Sequence, residues 1–104
     1  MAGRRRVTWS PASEQDLREI WRYYFGVASR DVADRMIRAI SAAAEKAAEH
    51  PTLRRRRDDL LPGLRAVLVH PYVLCYRLDD DGVEIVRILH QKRNLKDALK
   101  QEER

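Results

Sequence analysis

Three arginines, Arg65, Arg77 and Arg87, stand inside apolar, strand-like runs. The last of these runs, "VEIVRILHQKRN" (residues 83–94), leaves through His90, Lys92 and Arg93. A lone charge embedded in a strand is costly unless it is paired or lies at a rim. These arginines therefore carry more information than the four consecutive ones at residues 54–57, which water can satisfy. A guanidinium fork suits a phosphate or carboxylate through paired hydrogen bonds. A histidine at a strand end beside two cations has the placement of a general acid or a phosphate contact. Arg65, Arg77, Arg87, His90, Lys92 and Arg93 thus form the candidate target- or anion-binding set. The competing reading for the strand arginines is internal salt bridging to acids such as Asp16 or Glu19, and for His90 an ordinary surface position. Cleavage of RNA by attack of a 2′-hydroxyl needs a proton acceptor and a donor flanking the phosphate. In this closing run His90 would have to serve with a lysine.

Other chemistries find little support. The single cysteine, Cys75, excludes an internal disulfide and a multi-cysteine zinc site, and its setting in "YVLCYRL" reads as a buried small hydrophobe. His50, His70 and His90 are far apart with no metal-ligand spacing, so no metal and no cofactor are expected. No apolar stretch approaches a membrane span. "MAGRRRVTW" lacks an apolar signal core, which points to a cytoplasmic protein with no membrane partner. Hydrophobic residues at 44% and charged residues at 36% describe a folded chain, and a formal net charge of +5 favours an anionic partner, nucleic acid or an acidic protein surface.

At 104 residues the chain is expected to form one domain, residues 1–104. "RRRVTW" reads as a short strand with Val7 and Trp9 on one side. Ser10 caps a helix with Pro11 at its first position and an apolar stripe of Leu17, Ile20, Trp21 and Tyr24, ended by Gly26. Trp21, Tyr23, Tyr24 and Phe25 are expected to be mostly core, with some overflow toward a partner. Ser29 starts a second helix with a stripe of Ala33, Met36, Ile37, Ile40, Ala44 and Ala47, stopped by Pro51. A short connection makes the two an antiparallel hairpin. After the polar connector "PTLRRRRDDLLPG" come three strands, "LRAVLVH", "YVLCYRL" and "VEIVRILH", with turns at Pro71 and "DDDG". Strict alternation places Val83, Ile85, Arg87 and Leu89 on one face, opposite Glu84, Val86, Ile88 and His90. Asn94 caps a terminal helix with a stripe of Leu95, Ala98 and Leu99, and residues 94–104 are expected to be loosely held. The fold class is α+β: N-terminal strand, antiparallel helical hairpin, three-stranded antiparallel meander and short C-terminal helix.

In this order the stretches "SPASEQDLREIWRYY", "AAEHP", "LLPGLRAVLVHPYVLCYRL" and "VEIVRILHQKRN" resemble the RelE/ParE superfamily of bacterial toxins, from Val7 to Asn94. The resemblance implies the toxin half of a type II toxin-antitoxin module, neutralised by a small ParD-like or similar antitoxin in a hetero-oligomer. The first-helix wording and the "RILH" ending look more like the ParE branch, which acts by binding DNA gyrase with only indirect contact to DNA. The RelE branch instead implies a ribosome-dependent endoribonuclease, with Arg65 and Arg87 at phosphate-binding positions and His90 at the catalytic end. A non-toxic nucleic-acid or protein-binding module is the third reading. For the antitoxin, an amphipathic segment lying over the hairpin and along the sheet is expected to contact Leu17, Trp21, Tyr24, Met36 and Ile40.

Overall fold

The structure, a computed structural model, describes residues 6–100. The elements follow as β1 (Arg6–Trp9), α1 (Pro11–Val27), α2 (Arg30–Glu49), β2 (Arg65–Val69), β3 (Tyr72–Leu78), β4 (Gly82–His90) and α3 (Leu95–Leu99). The expected strand over "RRRVTW" thus starts at Arg6, with Arg4 and Arg5 outside the described residues. The sheet runs β1-β4-β3-β2, with β1 parallel to β4 and the other neighbours antiparallel. Where β1 begins its pairing, a Cβ on Gly82 would stand 2.1 Å from the Arg6 carbonyl oxygen, so only glycine admits the incoming strand.

Both helix starts form as their caps dictate. The Ser10 side chain accepts the Ser13 N–H at 3.0 Å, and the Ser29 side chain accepts that of Val32 at 3.2 Å. Gly26 does not end α1, contrary to expectation. The helix continues to Val27, and Ala28 closes it by donating to the Tyr24 carbonyl. A glycine stops a helix by taking a left-handed conformation, and among the described residues only Gly63 has positive φ. Gly26 stays helical at the modest cost of a residue without a side chain.

Ala33, Ala44, Ala47 and Ala48 are buried along α2, together with Ile40. Small side chains let that helix approach its neighbours closely. One core lies between the helices and the sheet, built from Ile20, Ile40, Tyr72, Leu74, Tyr76, Val83, Ile85 and Ile88, with Val7 and Trp9 packed at its margin. A second core, on the other face, joins Leu61, Leu64, Cys75, Val86 and Leu89 to Ala98 and Leu99 of α3.

The split of β4 between these cores overturns the alternation expected for it. Cys75 pairs with Arg87 while Tyr76 pairs with Ile85, so Val86 is an extra residue in β4. This bulge reverses the phase of the strand: Val83 and Ile85 face the helices before it, Ile88 after it.

The terminal helix also departs from expectation. Leu99 is fully buried and Ala98 nearly so, which makes α3 the lid of the second core; residues 101–104 lie outside the described residues. Leu99→Ala should lower stability by about 2–4 kcal/mol, a melting-point drop on the order of 10 °C or more in a domain this small. A thermal melt checks it, because a loosely held tail would leave the midpoint unchanged.

Candidate functional site

Past Trp9 the chain leaves the sheet and turns into α1, so the far half of β4 loses its parallel neighbour. Exposed strand-edge groups must find other partners. The first turns of α1 supply them. The Ser10 hydroxyl donates to the Val86 carbonyl at 2.8 Å, and the Asp16 carboxylate accepts the Ile88 N–H at 2.9 Å. The same carboxylate takes both arms of Arg87, at 2.8 Å from Nε and 2.9 Å from Nη2. Only 9% of the Asp16 side chain and 13% of that of Arg87 are exposed, so the pair is held away from water. Asp16 falls on the buried side of α1 because Ser13, Asp16 and Ile20 recur at helical spacing.

The other strand arginines do not join Arg87. Arg77 lies 3.6 Å from Glu84 across the β3–β4 ladder, both side chains half-exposed. Arg65 pairs with Tyr76, whose ring faces the helices, whereas Arg77 and Arg87 share the face of Cys75. Arg65 donates from Nη1 to the Arg54 carbonyl. In the four-arginine run, Arg56 binds Asp58 at 2.7 Å and Arg57 binds Asp59 at 2.9 Å.

What the fold does gather is a cleft of about 430 Å³ at the end of β4. Tyr23, Tyr24, Tyr72 and His90 line it, with Glu19 and Arg93 adding opposite charges. Its aromatic rings meet edge to face: Tyr23 on Tyr24 at 5.0 Å, Tyr24 on Tyr72 at 6.4 Å, and Tyr72 on His90 at 5.6 Å between centroids. Burial, and then the neighbouring Tyr24 hydroxyl, raise the Tyr72 phenol well above its ordinary range, so near neutral pH it stays protonated. His90 itself is exposed, and its Nδ1 accepts the Lys92 N–H at 3.1 Å, which leaves Nε2 to carry the proton of the neutral ring. Lys92 is exposed and lies outside the cleft lining, whereas Arg93 belongs to it. Tyr72 escaped the sequence reading as a site residue, and Tyr23 entered it only as one of the aromatics ending the first helix. The signal for Tyr72 was its place opposite His90 in the strand register, which only pairing reveals.

Of the residues expected to meet an antitoxin, Ile40 is fully buried between the helices and the sheet, so it is a core residue and not a contact. Leu17, Tyr24 and Met36 are half-buried at the margin of the same core, and the Trp21 indole donates to Asp34 at 2.9 Å. One group of exposed apolar side chains lies further along α1, apart from Leu53, Leu68 and Leu78 elsewhere. Tyr23, Phe25 and Val27 are about half or more exposed, and Phe25 stacks on Trp21 at 5.0 Å. Of the four aromatics that end α1, Tyr23 and Phe25 are therefore surface, while Trp21 and Tyr24 stay half-buried. Cys75 is buried, and burial pushes its thiol up to about 12, leaving no nucleophile there near neutral pH. No group of three metal-ligating side chains occurs among the described residues, and no helix of them is long and apolar enough to cross a membrane.

Comparison with known proteins places this arrangement. The profile of the family described as "ParE toxin of type II toxin-antitoxin system, parDE" matches residues 7–95. The chain is 32% identical over 91 residues to Toxin ParE1 of Mycobacterium tuberculosis, covering 86% of this chain and 93% of that protein. It is 39% identical over 87 residues to Toxin RelE2 of Caulobacter vibrioides, covering 84% and 96%. A solved structure, "Chromosomal ParDE TA system from P. aeruginosa", shares the fold with a TM-score of 0.72 at 19% identity, over 84% of this chain and 96% of that one.

Breaking the buried pair tests whether Arg87 is structural. Asp16→Ala leaves Arg87 and the Ile88 N–H without their carboxylate and should cost about 3–5 kcal/mol. Asp16→Asn keeps an acceptor for one of them and should cost less. Chemical denaturation of both variants gives the order, and equal stability of Asp16→Ala and wild type would make the pair dispensable.

Proposed function

Because the chain belongs to the ParE toxin family of type II toxin-antitoxin systems, we propose that it arrests growth by binding DNA gyrase, and that a cognate ParD-like antitoxin neutralises it in a cytoplasmic hetero-oligomer. The observation that carries this reading is the disposition of the strand arginines. Arg87 is engaged by Asp16, Arg77 lies beside Glu84, and Arg65 stands on the opposite face. Arg65 is thus separated by the sheet from the other two, and Arg87 is already engaged, so the three do not make one phosphate-gripping set of the kind the cleavage reading draws on. Inhibition by binding needs shape and charge alone.

The antitoxin surface in this reading is the outer end of the hairpin, where Tyr23, Phe25 and Val27 are exposed beside Trp21. Exposed aromatics grouped in this way suit an amphipathic partner segment. Tyr23 also lines the cleft that holds His90 and Arg93, so a partner seated there would stand over the strand-end groups as well.

A second reading, ribosome-dependent cleavage of mRNA, is favoured by one feature: His90, Tyr72 and Arg93 line the same cleft. Relatives called RelE toxins keep it in view.

Two measurements decide these points. His90→Gln keeps size and polarity but does not titrate near neutral pH. It should retain most growth inhibition, and the purified wild type should impair gyrase supercoiling while leaving ribosome-bound mRNA intact. Site-specific mRNA cuts by wild type that vanish in a folded His90→Gln protein would move the chain to the nuclease reading. Phe25→Ala should leave the melting temperature nearly unchanged, as exposed substitutions do. It should also weaken binding of the product of the adjacent gene by roughly tenfold or more, as read by calorimetric titration.

A further inference from the structure

Away from the aromatic cleft, the C-terminal end of α2 and the first strand of the meander enclose a slot of about 70 Å³. Its walls are apolar, from Ala47, Leu53 and Val67, while Lys46, His50 and Arg54 line it with cationic or basic groups. At its inner end is Tyr76, fully buried, whose hydroxyl has no hydrogen-bond partner among the described residues; the Nε of the neighbouring Arg65 is a second buried donor without one among them. Buried donors are rarely left unmade. Both orphans are donors, and the cations around them have no ion pair among the described residues, so the group that would complete them is an acceptor bearing negative charge. Burial keeps the Tyr76 phenol protonated, though the charges of Arg65 and Arg54 oppose this, so it remains able to donate.

We propose that this slot is a binding site for a carboxylate side chain, an aspartate or glutamate of an acidic protein segment, with Tyr76 donating to it and Lys46 and Arg54 neutralising it. Size selects the carboxylate. The slot is small beside the strand-end cleft, about 70 Å³ against about 430 Å³, so it suits a single side chain better than a base with its sugar and phosphate. The apolar walls suit the methylenes of a side chain and not a sugar-phosphate chain. The site lies on the face of the sheet opposite Arg87 and four residues along β3 from the Tyr72–His90 pair, and it does not depend on which target the toxin attacks.

The test uses the full chain and two labelled probes of equal length and charge sign, an oligoglutamate and an oligothymidylate, titrated by fluorescence anisotropy. Tyr76→Phe removes only the hydroxyl. It should melt at the wild-type temperature or above, since it abolishes an unmade donor, and should bind oligoglutamate roughly tenfold more weakly, the scale of one hydrogen bond to a charged group. Lys46→Ala and Arg54→Ala should weaken the same probe, and oligothymidylate binding should not respond to Tyr76→Phe. Equal oligoglutamate affinity in wild type and Tyr76→Phe, or no binding to wild type, would overturn the proposal. Dependence of oligothymidylate binding on the hydroxyl would overturn the carboxylate assignment. A melting point several degrees lower in Tyr76→Phe would also sink it, because the hydroxyl would then have a partner inside the fold.

Discussion

One carboxylate holds the two layers of this protein in register. Asp16, on the second turn of α1, satisfies the Ile88 N–H at the edge of β4 and both arms of Arg87 at once. Burying two opposite charges is costly, and the cost is offset only when geometry is good and the remaining hydrogen-bonding capacity is used. Both conditions hold here: the fork is bidentate, and the carboxylate takes a third donor from the backbone. The interaction joins residues 71 positions apart, so it fixes where α1 sits on the sheet after β1 has left it. The same contact draws Arg87 into the architecture and away from the set of residues that could grip a phosphate.

That contact depends in turn on an irregularity. Were β4 to alternate without interruption, Arg87 would follow Val83 and Ile85 toward the core beneath the helices, where a charge has no room. The extra residue at Val86 shifts the phase, so that Ile88 fills the apolar position and Arg87 lies on the opposite face, at the edge that α1 covers. The bulge also supplies the second core with Val86 and Leu89, against which Leu99 closes. Three features that look separate along the chain, a strand arginine, a helix aspartate and a terminal leucine, are tied together by one inserted residue.

The polar and aromatic surface left over falls into regions of different chemistry, the first two of which meet at Tyr23. Tyrosines and His90 gather at the strand end, exposed apolar residues at the end of α1, and cationic groups around Tyr76 at the end of α2. A protein with separate patches is suited to engaging more than one macromolecular surface, which is what a toxin restrained by a partner requires. The four-arginine run contributes less than its length suggests, because Arg56 and Arg57 are occupied by Asp58 and Asp59.

Local rules made much of this legible. Ser10 with Pro11 and Ser29 with Asp31 announce the helix starts, and the alanine and isoleucine spacing of α2 identifies its buried face. The β-branched runs broken by Pro71 and "DDDG" mark the meander, and the acids beside residues 54–57 foretell their own pairing. The sequence also contained both partners of the central ion pair, with Asp16 among the acids open to Arg87, but spacing could not choose between that pairing and a free arginine. Tertiary structure decided the rest. It set β1 parallel to β4, inserted the bulge that moved Arg87 across the sheet, left Phe25 exposed, and brought Tyr72 against His90. Caps, stripes and turns act within a few residues and so can be read along the chain. Strand order, register and the partner of a buried charge are set by contacts between distant segments, whose energies depend on packing that the local pattern does not contain.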